Sequence, residues 1–401
     1  MPPDAARVLA ARALRAFGDG AISLLLPVYL TALGFDAFHV GIIATATLLG
    51  SAAVTLLMGI VAHRFTRRGT LLAASVLMTA TGLAFAFVTD FWPLVLVAFV
   101  GTLNPSSGDV SLFLPLEQAL LSHTAADRER TRVFAWYSLT GSLVGALGSL
   151  FAGLPKLLIA RYGLGLLPIL DAMFILYALF GLASFALYRQ LTPVAEGEVE
   201  KPAAPLGPSK RIVYTIAALF SLDAFGGGLV VQTLLALWLF KRYSLPLDTA
   251  AVIFFWMGVL SSISFLIAVP ISRRIGLINT MVFTHLPSNV CLMLVPMMPN
   301  LGLAVALLFA RSALSQMDVP TRTSYVMAVV TPGERAVAAS VTAVPRSLAA
   351  AVSPVLAGAL LTLTTFGWPL VIAGALKAAY DLLLLAMFRN VRPPEEDARR
   401  P

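Results

Sequence analysis

Charged side chains set inside long apolar runs are the residues best placed to do chemistry in this chain. In the run at 302–329, Arg311, Ser315, Asp318 and Arg322 follow one another at spacings of 4, 3 and 4, which puts them on one helical face. The matching face of the run at 93–121 holds Thr102, Ser106, Asp109 and Phe113, with Glu117 one turn further on. Two other runs carry Arg15 with Asp19, four residues apart and within ion-pair reach, and Asp223. An ionised group at the centre of a membrane helix costs about 2.5–3.5 kcal/mol on insertion scales, so such groups face a cavity or one another. Asp19, Asp109, Asp223, Arg311, Ser315 and Asp318 are therefore the candidate site residues. A buried carboxylate takes up a proton more readily than a solvated one, which is the chemistry that proton coupling needs. Arg311 is the expected main fixed cation, paired with Asp318, Asp19, Asp223 or an anionic solute. The rival reading makes Arg15–Asp19, Asp318–Arg322 and Lys377–Asp381 plain intrahelical pairs. Glu117 and Asp171 stand near helix ends and are not expected to take part.

The elements that must hold these residues are membrane helices. The chain has 401 residues, of which 59% are hydrophobic and 12% charged, with a mean hydropathy of +0.88. A soluble domain carries about 25% charged residues. Runs long enough to span a bilayer fall at 8–33, 37–62, 69–89, 93–121, 132–155, 166–188, 211–240, 248–271, 278–299, 302–329, 336–362 and 367–388. The fold expected is thus an all-α integral membrane protein with about 12 transmembrane helices. Asn104-Pro105-Ser106-Ser107-Gly108 and Pro320 are expected to loosen the fourth and tenth helices beside their aspartates. The single cysteine, Cys291, excludes a disulfide framework. The first residues lack a basic-then-apolar-then-small pattern, so no cleavable leader is expected.

Residues 190–210 are Pro-rich and charged and read as a linker. The expected organisation is a six-helix bundle at 1–189, a cytoplasmic linker at 190–210, a second six-helix bundle at 211–390 and a cytoplasmic tail at 391–401. With the N-terminus inside, 20 Lys and Arg residues lie on the cytoplasmic side against 4 on the other. The formal net charge of +8 is then a topology signal and implies no nucleic acid. It places both termini in the cytoplasm of a multi-pass plasma (inner) membrane protein.

The halves repeat. Ala16-Phe17-Gly18 matches Ala224-Phe225-Gly226, 208 residues on, and Asp109-Val110 matches Asp318-Val319, 209 on. Ser142-Leu143 and Ala152-Gly153 match Ser347-Leu348 and Ala357-Gly358, both 205 on. Two parallel six-helix repeats occur among secondary transporters.

The segment from Gly59 to Gly69, GIVAHRFTRRG, resembles the signature loop of the major facilitator superfamily at Gly59, Ala62, Arg64, Arg67 and Arg68. His63 and Thr66 depart from it, at the acidic and second glycine positions. Arg274 and Gly276 keep part of the second-half copy. The resemblance implies two bundles rocking by alternating access, with these loops as gates and the first, fourth, seventh and tenth helices lining a central cavity. Gly141, Gly145 and Gly148 are partly similar to a glycine-rich motif of the family's exporters, although small residues at this spacing also pack helices.

The four histidines, His39, His63, His123 and His285, are scattered, and no metal cluster, phosphate loop or nucleophile constellation appears. No enzyme activity and no cofactor are expected. The function expected is secondary transport of a small solute, proton-coupled and outward, by a monomer in the lipid bilayer. Proton-coupled uptake of an anionic or polar solute is the alternative. A transporter-like sensor without flux is the alternative from another class.

Overall fold

The computed structural model describes residues 3–61, 65–106, 112–124, 127–192, 206–331 and 334–389. Among these, eleven helical segments are long and apolar enough to cross a membrane. A twelfth crossing, the expected fourth, is split in two. α4 (Phe91–Val100) and α5 (Phe113–Thr124) are separate helices, and residues 101–106 after α4 are non-helical. Local chemistry explains the break. A residue before proline is disfavoured in the α region, and Asn104 sits there. Its Oδ1 accepts from Ser106 N–H at 3.1 Å and Ser106 Oγ at 2.8 Å, giving the backbone a turn in place of a helix.

Contacts divide the chain into two compact units: residues 1–200 with 231–258, and residues 201–230 with 259–401. This grouping differs from the sequence halves, because residues 231–258 sort with the first. The first unit contains α1 (Pro3–Ala32), α2 (Ala37–Val61), α3 (Arg67–Phe87), α4, α5, α6 (Asp127–Phe151), α7 (Leu154–Tyr162), α8 (Leu166–Arg189), α10 (Gln232–Tyr243) and the first half of α11 (Leu247–Ile275). α1 lies at its centre against α6 and α8. The contact with α6 needs glycine. A Cβ on Gly20 would stand 2.0 Å from the Gly145 carbonyl oxygen, and one on Gly148 would stand 2.0 Å from that of Phe17. Of the exporter-like stripe, Gly148 is thus used in helix packing. α10 repairs the break after α4: Thr233 donates to the Pro105 carbonyl from its N–H at 3.0 Å and its hydroxyl at 2.9 Å. Backbone freed at membrane depth must find such a partner.

The second unit holds α9 (Lys210–Leu229), the rest of α11, α12 (Leu277–Leu294), α13 (Leu301–Ser315), α14 (Asp318–Val329), α15 (Arg335–Leu363) and α16 (Trp368–Phe388). α9 packs against α15 and α16, and α12 against α16, α13 and α14. The sequence repeat is a structural repeat. Gly228 meets the Ala350 carbonyl oxygen, its would-be Cβ only 2.2 Å away, and these positions correspond to Gly20 and Gly145. α14 lies 205 residues after α5 at both ends. At that offset Phe113, not Asp109, aligns with Asp318. α13 and α14 are parted by Gln316 and Met317 only, and Pro320 falls in the first turn of α14, where its missing N–H costs least.

Residues 206–209, the end of the expected linker, are docked. Glu334 accepts hydrogen bonds from Gly207 N–H, from Ser209 Oγ at 2.7 Å and from Thr331 Oγ1 at 2.6 Å. Residues 193–205 of the expected linker lie outside the described residues, as does the expected tail at 391–401.

Candidate functional site

Each unit carries a buried ion cluster where its first helix meets its fourth. In the first unit, Arg15 of α1 grips Glu117 of α5 with both terminal nitrogens, at 3.0 and 2.5 Å. Tyr188 and Tyr137 each donate a hydroxyl to the same carboxylate at 2.6 Å. Phe113 lies under the guanidinium, 4.0 Å from ring centre to Cζ. Arg15 is 3% exposed and Glu117 0%, so every lone pair must be met inside the protein, and the two tyrosines do that.

The second unit makes the same bridge with the signs exchanged. Asp223 of α9, the repeat equivalent of Arg15, accepts from Arg322 of α14 at 2.9 Å, and Arg322 is the equivalent of Glu117. Lys377 of α16 binds the other Asp223 oxygen at 2.6 Å. Asp318 also holds Arg322. Phe220 and Tyr380 flank the Arg322 guanidinium with ring centres at 4.9 and 5.8 Å. Behind this group, His285 Nδ1 lies 2.9 Å from Asp381, whose second oxygen accepts from Asn289 at 2.8 Å. His285 Nε2 is 3.9 Å from Asp223, so one imidazole spans two carboxylates.

The sequence-derived candidates fall out as follows. Asp223 and Asp318 stand together in this cluster. Asp19 is in the first unit, away from Arg15's bond, with the Tyr177 hydroxyl at 3.4 Å and Asn104 facing it. Tyr177 gives its shorter bond, 3.2 Å, to the Thr102 carbonyl. Asp109 lies outside the described residues. Ser315 ends α13 and is buried. Arg311 does not meet the acids: among the described residues it forms no ion pair, its Nε has no hydrogen-bond partner, and its backbone carbonyl accepts from Ser288 of α12. The expected pairing of Arg311 with Asp318 fails because the break at Gln316–Met317 interrupts the helical spacing between them.

Two further expectations are corrected. Arg15–Asp19 and Lys377–Asp381 do not form; Arg15 takes Glu117, Lys377 takes Asp223, and Asp381 takes His285. In both, the cation precedes the acid in the helix, the less favourable order, whereas Asp318–Arg322 has the acid first and forms. Glu117 and His285, which the sequence does not single out, belong to these two clusters.

Of the gating-loop residues, Gly59 lies in the last turn of α2, and Arg64 is outside the described residues. Arg67 and Arg68 open α3. Thr66, at the departing glycine position, caps that helix by accepting from Gly69 N–H at 3.0 Å. Arg68 donates to the Arg189 carbonyl at 2.5 Å, tying the start of α3 to the end of α8. Arg274 is exposed at the end of α11, and Gly276 turns the chain into α12 with φ +88°.

Comparison with known proteins follows this geometry. The profile of the Major Facilitator Superfamily matches residues 8–314. The uncharacterized membrane protein YJR124C of Saccharomyces cerevisiae is 24% identical over 94% of this chain and 92% of its own length. A crystal structure of the nucleoside transporter NupG in mutant form superposes with a TM-score of 0.75 at 15% identity, covering 96% of this chain and 100% of that one. A D-xylose-proton symporter gives a TM-score of 0.72 at 15% identity, covering 99% of each chain.

Proposed function

The chain belongs to the major facilitator superfamily, and from that premise we propose that this multi-pass membrane transporter moves a small solute by alternating access, coupled to protons. The observation that carries the coupling is the buried cluster of Asp223, Lys377, Arg322 and Asp318 with His285 and Asp381 behind it. Ionisable groups within membrane segments are costly and as a rule mark ion or proton pathways. The D-xylose-proton symporter among the structural neighbours shares the fold, and its name is consistent with a proton-coupled cycle. The plasma (inner) membrane, cytoplasmic termini and a monomeric working unit belong to the same reading. The glycine spacing that pointed to export is accounted for by packing, so the proposal takes no direction from it.

Proton-coupled exchange requires a carboxylate that can lose its cation to a proton. Asp223 sits between two cations and one imidazole, so protonating it would release Lys377 and one arm of Arg322. Asp19, with the Tyr177 hydroxyl at 3.4 Å and Asn104 facing it, is the second candidate. The test is solute flux in proteoliposomes with a pH dye inside, for wild type and for Asp223→Asn and Asp19→Asn. One of the two variants is expected to lose solute-dependent proton movement while keeping solute exchange. If both acidify the lumen at the wild-type rate, the proton route lies elsewhere.

A further inference from the structure

We propose that Arg346 is an anion-binding residue, and that the solute, on the transporter reading above, carries a carboxylate or phosphate group that this arginine holds. Arg346 lies well inside α15, on the face that packs against α9. Ala350 and Ser353 of that face meet Gly228, and Arg346 is one turn before Ala350. Its charge acts on Arg322, Asp223 and Asp318, so it stands at the level of the ion cluster. It is deep among protein atoms, and yet its side chain is exposed.

No carboxylate holds it. Among the described residues Arg346 makes no ion pair, because Asp223 and Asp318 are already engaged by Lys377 and Arg322. An arginine stays charged at any physiological pH, so it needs an anion rather than a pKa shift. At this depth an accessible, unmatched guanidinium belongs on a solute path.

The repeat sharpens the point. The equivalent of Arg346 is Gly141, 205 residues earlier. There the space is filled by Arg12 of α1, whose Nη2 lies 2.5 Å from where a Gly141 Cβ would be. Both units therefore bring a guanidinium to the junction of their first and fifth helices. In the first unit it is covered by the Tyr137 ring, 5.1 Å from Cζ, and is 6% exposed. In the second unit the position of Tyr137 is taken by Thr342, which supplies no ring, and the guanidinium is left open. The planar fork of arginine matches a carboxylate or a phosphate with two parallel hydrogen bonds.

The test uses purified full-length protein in uncharged detergent. Its melting temperature is measured in sodium benzoate, sodium phosphate and sodium chloride at equal ionic strength, and separately with added phosphatidylglycerol. Benzoate or phosphate is expected to raise the melting temperature above the chloride value, as any ligand of the folded state does. Arg346→Gln is expected to abolish that rise, Arg346→Lys to keep part of it, and the exposed-site control Arg161→Gln to keep all of it. If Arg346→Gln does not yield monodisperse protein, the graded loss in Arg346→Lys decides the matter. An equal rise in Arg346→Gln, or no anion-specific rise in wild type, would overturn the proposal. A rise with phosphatidylglycerol alone would assign the arginine to lipid and overturn the solute site. Anion binding without flux would leave this site standing and defeat the transporter reading; flux without anion binding would do the reverse.

Discussion

Glu117 shows how much a buried residue's setting decides its behaviour. Its carboxylate has four donors converging on it, two from Arg15 and one each from Tyr137 and Tyr188. Removing one partner of such a pair leaves an uncompensated buried charge and costs about 3–5 kcal/mol. Arg15→Met or Glu117→Leu alone is therefore expected to lower the melting temperature sharply, and the double variant to recover most of the loss. Equal loss in the double variant would mean that the pair is not what holds α1 to α5. Glu334 offers a pH test away from the membrane spans. The Thr331 and Ser209 hydroxyls and the Gly207 N–H hold its pKa down, from 4.5 to about 2. A depressed carboxylate pKa stabilises the folded state above the unfolded value and loses that contribution as pH falls through the folded one. Wild type is thus expected to lose more stability between pH 4.5 and pH 2 than Glu334→Gln does. Matching pH profiles for the two proteins would show that the docked segment contributes nothing. The sequence exposed Asp223, Asp318 and Arg322 as intramembrane charges and offered the Asp318–Arg322 pair, but not the partners on other helices, because helical spacing reports only neighbours on one helix. Glu117 becomes visible only when α5 is aligned to α14 at 205, which needs the position of the break.

At the scale of elements, the close approaches follow from glycine. Gly148 and Gly145 sit one short of a turn apart in α6 and differ in what a methyl group would meet. On Gly148 it would fall 2.0 Å from backbone, on Gly145 no nearer than 3.5 Å. Gly148→Ala is expected to cut the yield of folded protein, and Gly145→Ala to be nearly neutral; expression and melting temperature check both. Comparable behaviour of the two would mean that α1 and α6 can part without loss. The helices themselves were legible from apolar run length, since a bilayer demands about twenty residues per crossing. The interruption of the fourth crossing was legible from Asn104-Pro105. The short break in the tenth was not placed well enough to show that Arg311 and Asp318 belong to different helices. The linker divides in two as well. Deleting about five residues from 193–200 is expected to be tolerated, because a Pro-rich, charged segment buries no core. Ser209→Asp, which sets a second carboxylate against Glu334, is expected to lower stability.

For the whole molecule, the repeat is the organising fact. Each unit joins its first and fourth helices with a buried ion pair, Arg15–Glu117 in one and Asp223–Arg322 in the other. The exchange of signs has a consequence. The first unit's acid is locked by two tyrosines and a bidentate arginine, whereas the second unit's acid holds Lys377 and Arg322, shares Arg322 with Asp318 and faces His285. The second is the arrangement proposed above for proton exchange. Topology has its own check: reporters fused at residue 200 and at the C-terminus are expected to report the cytoplasm, and a periplasmic signal at either would overturn the charge-bias reading. Substrate and direction were not legible, because the family's fold serves many solutes and its identity lies in a few side chains. The most direct test of the central claim is a panel of small solutes in proteoliposomes with internal pH recorded during transport. The account predicts that at least one solute moves together with protons, that a protonophore collapses its accumulation, and that Asp223→Asn separates the two fluxes. Solute accumulation that ignores both the protonophore and Asp223→Asn would contradict it.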